Sequence, residues 1–341
     1  MRSRAALAPL CSVLLAALWP GTARATNCSG ITSTCINDDT LWPHAGPARF
    51  VAVGSTETVA ADQLSFGLVT SYLSRPIVLH PLSPGGGAPL VIFAVDDQVN
   101  TTFAWSYGVS DRLELDLVLP LTLGQSGLGL SPVTGGYGLH DTATRDMRFG
   151  STYALVPRAR DVPSQQIAWS LAARFEVSAP TGDDDQFAGE HVGVLIPGLS
   201  SEVRYDRFFG GAEVGARIRP ITDLQGARIG SQIVAALGVG ANLLSRNLLS
   251  VAAEAWALPT LAEQETVDFL PQSNRYVITP NGHYITPAEW QVSARSAPIH
   301  GGDLSFQISG GGGIPLDSET AITVPRFRFT LGVRWAPHAP N

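Results

Sequence analysis

The stretch RFRFTLGVRW, Arg326–Trp335, alternates bulky apolar residues with arginine and small residues close to the end of the chain. The apolar parity comprises Phe327, Phe329, Leu331, Val333 and Trp335. The opposite parity carries the three arginines, Arg326, Arg328 and Arg334. Alternation of this kind indicates a β-strand, because successive side chains point to opposite faces of a sheet. One face then needs an apolar environment, which is either the core of a soluble sandwich or the lipid around a membrane barrel.

Eleven further segments have the length and composition of strands, which gives twelve in all. The twelve lie near residues 64–78, 90–107, 111–121, 145–157, 165–178, 199–208, 211–219, 228–241, 247–258, 289–297, 303–311 and 325–335. Most have roughly the 9–11 residues that a tilted transmembrane strand needs. The connections alternate between short turns and longer loops, as in outer-membrane barrels. The sequence therefore predicts an all-β fold over residues 64–335, a transmembrane antiparallel up-and-down β-barrel of about twelve strands, with a short tail at 336–341.

Residues 1–25 have the composition of a secretory signal peptide. Arg2 and Arg4 precede a short apolar run, and the sequence ARA precedes Thr26 as a cleavage site. Together with the barrel pattern, this leader predicts export to the outer membrane of a Gram-negative bacterium. Residues 26–63 then form an N-terminal segment, which either lies in the periplasm or folds into the lumen as a plug. The sequence does not decide between these two placements.

Two cysteines remain once the leader is removed, Cys28 and Cys35. Because exported proteins meet an oxidising environment, we expect the pair to close a small disulfide loop, with two free thiols as the alternative. The chain has 22 arginines, no lysine and 29 acidic residues, and loss of the leader's three arginines would take the net charge from −7 to −10. An acidic chain without a basic cluster does not fit nucleic-acid binding. The expected partners are outer-membrane lipid, a small-molecule solute and the barrel-assembly machinery.

One part of the chain carries a resemblance to known proteins. It consists of FAVDDQVNTTFAWSYGVSDRLELDLVLPLTLGQSGLGL, followed by LHDTATRDMRFGSTYALVPR and, later, PTGDDD. These stretches resemble the barrel regions of Gram-negative outer-membrane proteins grouped with phenol-degradation-pathway transporters and with barrels that precede OmpA-type domains. The resemblance covers about residues 50–335. It implies a passive channel or transporter for small solutes, including hydrophobic or aromatic compounds.

The inward-facing parity of the predicted strands is rich in charge of both signs. The candidates for the lumen or its constriction are Glu114, Asp116, Arg148, Arg174, Glu176, Arg204, Asp206, Glu213, Arg217, Glu254, Arg295, Arg326, Arg328 and Arg334. One hypothesis is a charged constriction that selects solutes in an open channel. The alternative is a network of salt bridges that fills the lumen of a non-conducting structural barrel. Both stay open, because eight strands are just filled by side chains, sixteen leave a channel, and twelve lie between.

Other residues suggest two smaller features, an aromatic girdle and a cation site. Aromatic residues at strand ends predict a girdle at the membrane interface, formed by Trp105, Tyr107, Trp169 and Trp335. A divalent cation could bind the hard oxygen ligands of an acidic loop, although a solvated loop is the simpler interpretation; these ligands are Asp183, Asp184, Asp185 and Glu190. The His-x-Ser-Asn, G-x-S-x-G and HExxH patterns are absent. We therefore expect no enzyme activity and no cofactor, and a barrel hydrolase is only a minor hypothesis.

Overall fold

The computed structural model describes residues 28, 33–79, 91–135, 138–158, 166–224, 227–243, 248–270, 275–297, 299, 304–316 and 323–337. Side chains are not described for residues 267–270, 275 and 276. The predicted signal peptide and the end of the predicted tail lie outside these residues. Both therefore stay predictions.

The described chain is almost entirely β-structure. The strands are β1 (Leu64–Leu79), β2 (Ile92–Gly108), β3 (Leu113–Ser126), β4 (Ala143–Thr144), β5 (Arg148–Val156), β6 (Ala168–Ser178), β7 (Val194–Tyr205), β8 (Phe208–Arg217), β9 (Thr222–Leu224), β10 (Ala227–Ile229), β11 (Gln232–Leu243), β12 (Leu249–Ala257), β13 (Glu265–Leu270), β14 (Arg275–Pro280), β15 (Ala288–Ser296), β16 (Leu304–Gly313) and β17 (Phe327–Trp335). One helical turn, α1 (Ser131–Thr134), and a 3-10 turn, Asp184–Gln186, lie in loops. No helix among the described residues is long and apolar enough to cross a membrane.

Twelve of these strands form a closed antiparallel barrel, which confirms the predicted fold class. In the described chain the barrel strands are β1, β2, β3, β5, β6, β7, β8, β11, β12, β15, β16 and β17. Each pairs with the next, and β17 closes the ring on β1 from Phe66 opposite Trp335 to Ser74 opposite Phe327. Closure leaves no unpaired sheet edge, which is the condition for a sheet to lie in lipid. The short strands β4, β9, β10, β13 and β14 lie in the connections.

The period-two alternation in β17 gives each face of the strand its own environment. Arg328, Thr330 and Arg334 are buried, whereas Phe327 and Leu331 are 46% and 49% exposed. The arginines therefore face the lumen and the apolar residues form part of the outer surface. This parity is specified strongly, because a one-residue slip in register would turn every arginine toward lipid.

All four predicted girdle residues lie at one end of the barrel, the end with the short turns. Phe66 in β1 stands opposite both Trp335 and Trp105 on its neighbouring strands, and its ring centroid is 6.1 Å from that of Trp105. The hydroxyl of Tyr107 donates to Asp62 at this same end. Trp169 is the second residue of β6 at this end and is 51% exposed. Outward aromatic side chains at strand ends are typical of the boundary between lipid and water.

The boundary between β7 and β8 differs from the prediction. The predicted strands 199–208 and 211–219 leave the turn at residues 209–210, whereas the turn consists of Asp206 and Arg207, with Tyr205 opposite Phe208. Asp206 has a φ of 52°. Two-residue hairpin turns fit the twist of their strands when the backbone takes a positive φ, and aspartate tolerates that conformation better than most residues. β7 consequently ends earlier, and β8 begins earlier, than predicted.

Candidate functional site

The lumen contains the part of the predicted N-terminal segment that the structure describes continuously, residues 33–63. From here on, the name N-terminal segment refers to these residues. At the long-loop end of the barrel, the N–H of Ser33 donates to the carbonyl oxygen of Asp223 at 3.1 Å. At the short-turn end, the N–H of Asp62 donates to the carbonyl oxygen of Gly108 at 2.8 Å. The segment therefore runs through the barrel from the long-loop end to the short-turn end, where it enters β1.

We call the inward-facing side chains of the barrel strands the lumen wall. Glutamates of the wall accept hydrogen bonds from the backbone N–H groups of this segment. The acceptors are Glu254 (from Val51 and Ala52), Glu213 (from Gly54), Glu202 (from Thr56) and Glu114 (from Val59). An extended segment outside a sheet has unpaired backbone groups, and burial makes it costly to leave them unsatisfied. Because the acceptors are carboxylates, these hydrogen bonds are stronger than bonds between neutral groups.

Arginines of the wall hold the carbonyl oxygens of the same segment. The donors are Arg217 (to Thr40), Arg148 (to Pro43), Arg334 (to Gly46) and Arg295 (to Ala48). The first three of these N···O distances are 2.8 Å. The wall thus binds the segment through backbone groups of both kinds, with acids on its donors and arginines on its acceptors.

Side chains of the segment also form ion pairs with the wall and with one loop. Arg328 lies between Glu289 at 2.8 Å and Asp39 of the segment at 2.9 Å. Asp38 of the segment pairs with Arg145, which lies in the loop before β5, at 2.8 Å. All of these groups are buried in the interior of the barrel.

His44 of the segment joins two wall glutamates. Its Nδ1 is 3.3 Å from Glu176 Oε1, and its Nε2 is 3.2 Å from Glu213 Oε2. Arg148 also contacts Glu176 at 3.1 Å. Trp42 of the segment lies beside these groups, with the guanidinium of Arg217 3.8 Å from its ring centroid. Charged and aromatic side chains of the segment and of the wall therefore contact one another inside the lumen.

An apolar contact accompanies these polar ones. The ring of Phe50 is fully buried against backbone at Gly211 and Gly238, and its centroid is 5.5 Å from that of Phe209. A Cβ atom at Gly238 would lie 2.6 Å from the Phe50 ring, and one at Gly211 would lie 2.8 Å from it. The two glycines therefore form a niche in the wall that an aromatic ring of the segment fills.

We expect Gly238→Ala to weaken the attachment of the segment, because the added methyl group and the Phe50 ring cannot occupy the same space. Overpacking of this kind typically costs about 1–3 kcal/mol of unfolding free energy. Urea unfolding of the refolded protein would measure the loss. Gly124→Ala is the matched control, since a Cβ atom there meets nothing within 4 Å. Equal stability of the two variants would contradict the proposed fit of Phe50 in its niche.

Twelve of the fourteen predicted lumen residues lie on the inward parity of barrel strands. The buried ones are Glu114, Asp116, Arg148, Arg174, Glu176, Arg217, Glu254, Arg328 and Arg334, and the half-buried ones are Arg204, Glu213 and Arg295. Asp206 and Arg326 are the two that differ. Asp206 is exposed in the turn after β7, and Arg326 is exposed immediately before β17, where its N–H donates to the carbonyl oxygen of Ser74. Both lie just beyond a strand end, where the period of two no longer determines direction.

Several residues of the lumen were not identified from the sequence. Glu202 and Glu289 face inward on β7 and β15, and each shares its parity with a predicted lumen arginine, Arg204 or Arg295. That shared parity was the available signal. Asp38, Asp39 and His44 gave no signal, because the segment that carries them has no periodicity and no regular secondary structure.

The predicted cation ligands lie in the loop between β6 and β7, and each has a different environment. Asp183 accepts from the N–H of Thr144 at 2.8 Å, Asp184 lies 3.3 Å from His191, and Glu190 pairs with Arg219. In the described part of the chain, Asp183, Asp184, Asp185 and Glu190 do not form a group that could hold a metal ion. The metal site therefore gains no support from this arrangement.

Asp146 organises this loop from the neighbouring connection. It accepts hydrogen bonds from the N–H groups of Thr181, Gly182 and Glu190 at 2.6–3.0 Å. Burial raises the pKa of Asp146 to about 7, against the opposing effect of the hydrogen bonds from Gly182 and Thr181.

The predicted disulfide is present between Cys28 and Cys35, with a Cα–Cα distance of 5.8 Å. Cys28 lies near Asp184, which places the disulfide at the long-loop end.

Comparison with known proteins bears on the fold. No protein family matches the sequence, and no curated protein matches it. Among solved structures, an outer-membrane channel from Pseudomonas putida is similar, with a TM-score of 0.53, 15% identity, and coverage of 83% of this chain and 98% of that one. The KdgM porin matches with a TM-score of 0.41 and 7% identity over 80% of this chain and 99% of its own. A toluene transporter from Ralstonia pickettii matches with a TM-score of 0.36 and 12% identity over 92% and 100%. The first of these similarities shows that the chain has the barrel fold of an outer-membrane channel.

Proposed function

We propose that this chain is an outer-membrane channel for small solutes, closed at rest by its own N-terminal segment. The proposal includes export by a leader cleaved before Thr26, and an orientation with the long loops outside the cell and the short turns in the periplasm. The N-terminal end of the segment would then lie at the external mouth. The outer surface of the barrel would contact lipid through its apolar belt, after insertion by the barrel-assembly machinery.

One observation supports the proposal: the contacts that cross the lumen are made by the N-terminal segment, which belongs to none of the barrel strands. Within the described residues, ion pairs between wall side chains join positions at most two strands apart, such as Arg148 with Glu176 and Arg328 with Glu289. These pairs run along the wall. The contacts that reach across the lumen instead involve the segment. Displacing the segment would leave a lumen lined by polar and charged groups that water can solvate, as in a channel.

The second candidate is a non-conducting structural barrel, and the close fit of Phe50 in its niche favours it. A segment that never leaves the lumen would need such a fit, whereas a gate must be released at a modest free-energy cost.

The chemical class of the solute is a further proposal. Hydrophobic or aromatic compounds fit the resemblance noted in the sequence, and the small residues around Phe50 would accommodate them. A barrel hydrolase is the third hypothesis, for which a lipase assay on the refolded protein is the direct test.

A reversible disulfide between the segment and the wall, introduced into the complete mature chain, tests whether displacement of the segment opens the channel. The hydroxyl oxygens of Thr56 in the segment and Ser170 in β6 are 2.7 Å apart, so cysteines at both positions are close enough for a disulfide. We expect the double variant Thr56→Cys, Ser170→Cys to be silent in a planar bilayer when oxidised. Reductant should restore the openings of the unmodified chain.

The matched control places the same bond within the wall. The hydroxyls of Ser65 and Ser106, on β1 and β2, are also 2.7 Å apart and do not involve the segment. Ser65→Cys with Ser106→Cys should conduct like the unmodified chain with or without reductant. Unchanged conduction in the oxidised Thr56–Ser170 variant would exclude displacement of the segment at Thr56 as the step that opens the channel. A correctly folded chain that stays silent under all conditions would support the non-conducting barrel.

A further inference from the structure

His44 is the single histidine of the N-terminal segment, and it lies between two glutamates of the wall. Its Nδ1 is 3.3 Å from Glu176 Oε1 on β6, and its Nε2 is 3.2 Å from Glu213 Oε2 on β8. The three side chains are at most 9% exposed. We call these three residues the His44 bridge, because they join the segment to two separate strands.

The bridge needs one proton more than a neutral histidine and two carboxylates possess. A neutral imidazole has one N–H donor and one nitrogen with a lone pair, and a carboxylate only accepts. Whichever nitrogen of His44 holds the proton, the other would place its lone pair against a carboxylate oxygen at 3.2 or 3.3 Å. The arrangement is favourable when a second proton is present, either on the imidazole or on one glutamate.

Three arginines complete the charged surroundings of the bridge. Arg148 on β5 is 3.1 Å from Glu176, and Arg174 on β6 is 3.6 Å from it. Arg217 on β8 donates to the carbonyl oxygen of Thr40. Arginine keeps its charge at neutral and alkaline pH alike. Among these groups, only the histidine and the glutamates can therefore exchange a proton.

A further carboxyl group lies beyond the arginines. The side chains of Arg174 and Asp116 both contact the hydroxyl of Thr152, each at 3.2 Å. Asp116 is thus separated from the bridge by an arginine and a threonine. It adds to the charge around Arg174 and does not contact His44.

Glu213 depends on the proton of the bridge more than Glu176 does. Glu176 has two arginines within ion-pair distance, whereas His44 is the only cationic partner of Glu213 among the described residues. Glu213 also accepts a hydrogen bond from the N–H of Gly54, in the same segment. Loss of the proton would leave the Glu213 carboxylate buried without a cation, which is costly in a protein interior.

The bridge adjoins a cavity that can hold water. The cavity has a volume of about 30 Å³ and is also lined by Trp42, Arg217 and Trp256. This volume is enough for one water molecule, and charged groups that can bind the water line the cavity. A proton that leaves the bridge therefore has an acceptor beside it.

Histidine is the side chain that ordinarily changes its charge between about pH 5 and 8. We propose that the His44 bridge makes attachment of the N-terminal segment depend on pH: the protonated bridge holds the segment in the lumen, and loss of its proton as the pH rises releases the segment around His44. One linked proton changes the ratio of released to attached segment by at most about tenfold per pH unit.

More frequent channel openings at higher pH would follow from this release. That consequence rests on the proposed function, whereas the attachment at His44 does not. The test therefore measures exposure of the segment and not current.

A thiol beside His44 reports the release directly. Ala45 is 4% exposed, so a thiol introduced by Ala45→Cys in the complete mature chain is covered while the segment is attached. A water-soluble maleimide should label it about ten times faster at pH 8 than at pH 6, within the limit for one proton. Each rate is divided by that of the same chain unfolded in urea, which corrects for ionisation of the thiol itself.

Two substitutions in this background should abolish the pH dependence in opposite ways. His44→Gln removes the positive charge, so labelling should be fast at both pH values. Glu213→Gln provides an N–H that can donate to a neutral imidazole, so labelling should be slow at both. A substitution that only loosened the fold would not give slow labelling at pH 8.

His191→Gln is the matched control. His191 lies in the loop between β6 and β7, is 47% exposed and is 3.3 Å from Asp184, so its loss should leave the pH dependence unchanged. The proposal is overturned if labelling of the Ala45→Cys chain does not rise with pH, or if His44→Gln retains the rise. A rise that follows the expectation in a protein that never conducts would contradict the channel proposal and leave the His44 bridge supported.

Discussion

Deletion of residues 26–60 from the mature chain should convert a largely closed barrel into an open one. The deletion removes the groups that cross the lumen and leaves the barrel's strand-to-strand pairing intact, since β1 begins at Leu64. The wall charges that bind the segment would then be solvated by water entering the lumen, as in other polar barrel interiors. We expect the mean current in a planar bilayer to rise by at least an order of magnitude, with discrete, salt-dependent steps.

The control for this deletion removes a loop hairpin that belongs to none of the barrel strands. The hairpin β13–β14 forms its own two-stranded sheet in the loop between β12 and β15. Deleting residues 265–280 should leave the current at the level of the complete chain. Heat-modifiable gel migration would establish that both variants fold. A folded but silent 26–60 deletion would mean that the wall closes the lumen by itself, and the channel proposal would fail.

The barrel was predictable because its determinants are local. In a sheet with one face toward lipid, side chains must alternate, so the direction of Arg328 or Trp335 follows from parity alone. The prediction was wrong at Asp206, because the backbone conformation of a two-residue turn moved the strand ends. Only a few residues at strand termini were affected. Within the strands, the side chains alternate between inward and outward directions as the sequence pattern predicts.

The partners of the inward charges were not predictable in the same way. Parity gives the direction of Glu254 or Arg334, but it does not say what lies opposite. The sequence left open whether these charges form an open constriction or a network of salt bridges that fills the lumen, and whether residues 26–63 lie in the periplasm or in the lumen. In the structure both residues bind backbone groups of the segment, at Val51 and Gly46. Such contacts have no sequence pattern, because any residue provides the same N–H and carbonyl groups.

Loss of Arg328 should destabilise the protein more than either Gly238→Ala or Arg326→Gln. Its guanidinium is 1% exposed and donates to Glu289 from Nε at 2.8 Å and from Nη2 at 3.0 Å, while Nη2 also contacts Asp39 at 2.9 Å. Arg328→Gln would leave the buried carboxylates of Glu289 and Asp39 without the arginine that lies between them. Removing one partner of a buried ion pair typically costs about 3–5 kcal/mol, because the remaining charge is uncompensated. Urea unfolding of the refolded barrel, followed by tryptophan fluorescence, would measure this loss.

Arg326→Gln supplies the matched control, since Arg326 is exposed only two residues away. A surface substitution of this kind should change the unfolding free energy by no more than about 0.5 kcal/mol. Adding Glu289→Gln to Arg328→Gln should recover part of the lost stability, because it removes one of the two uncompensated charges. A loss no larger than that of Arg326→Gln would show that water reaches Glu289 and Asp39 in the native barrel. In that case the segment would not seal this part of the lumen, and the closed state inferred for the channel would have to be abandoned.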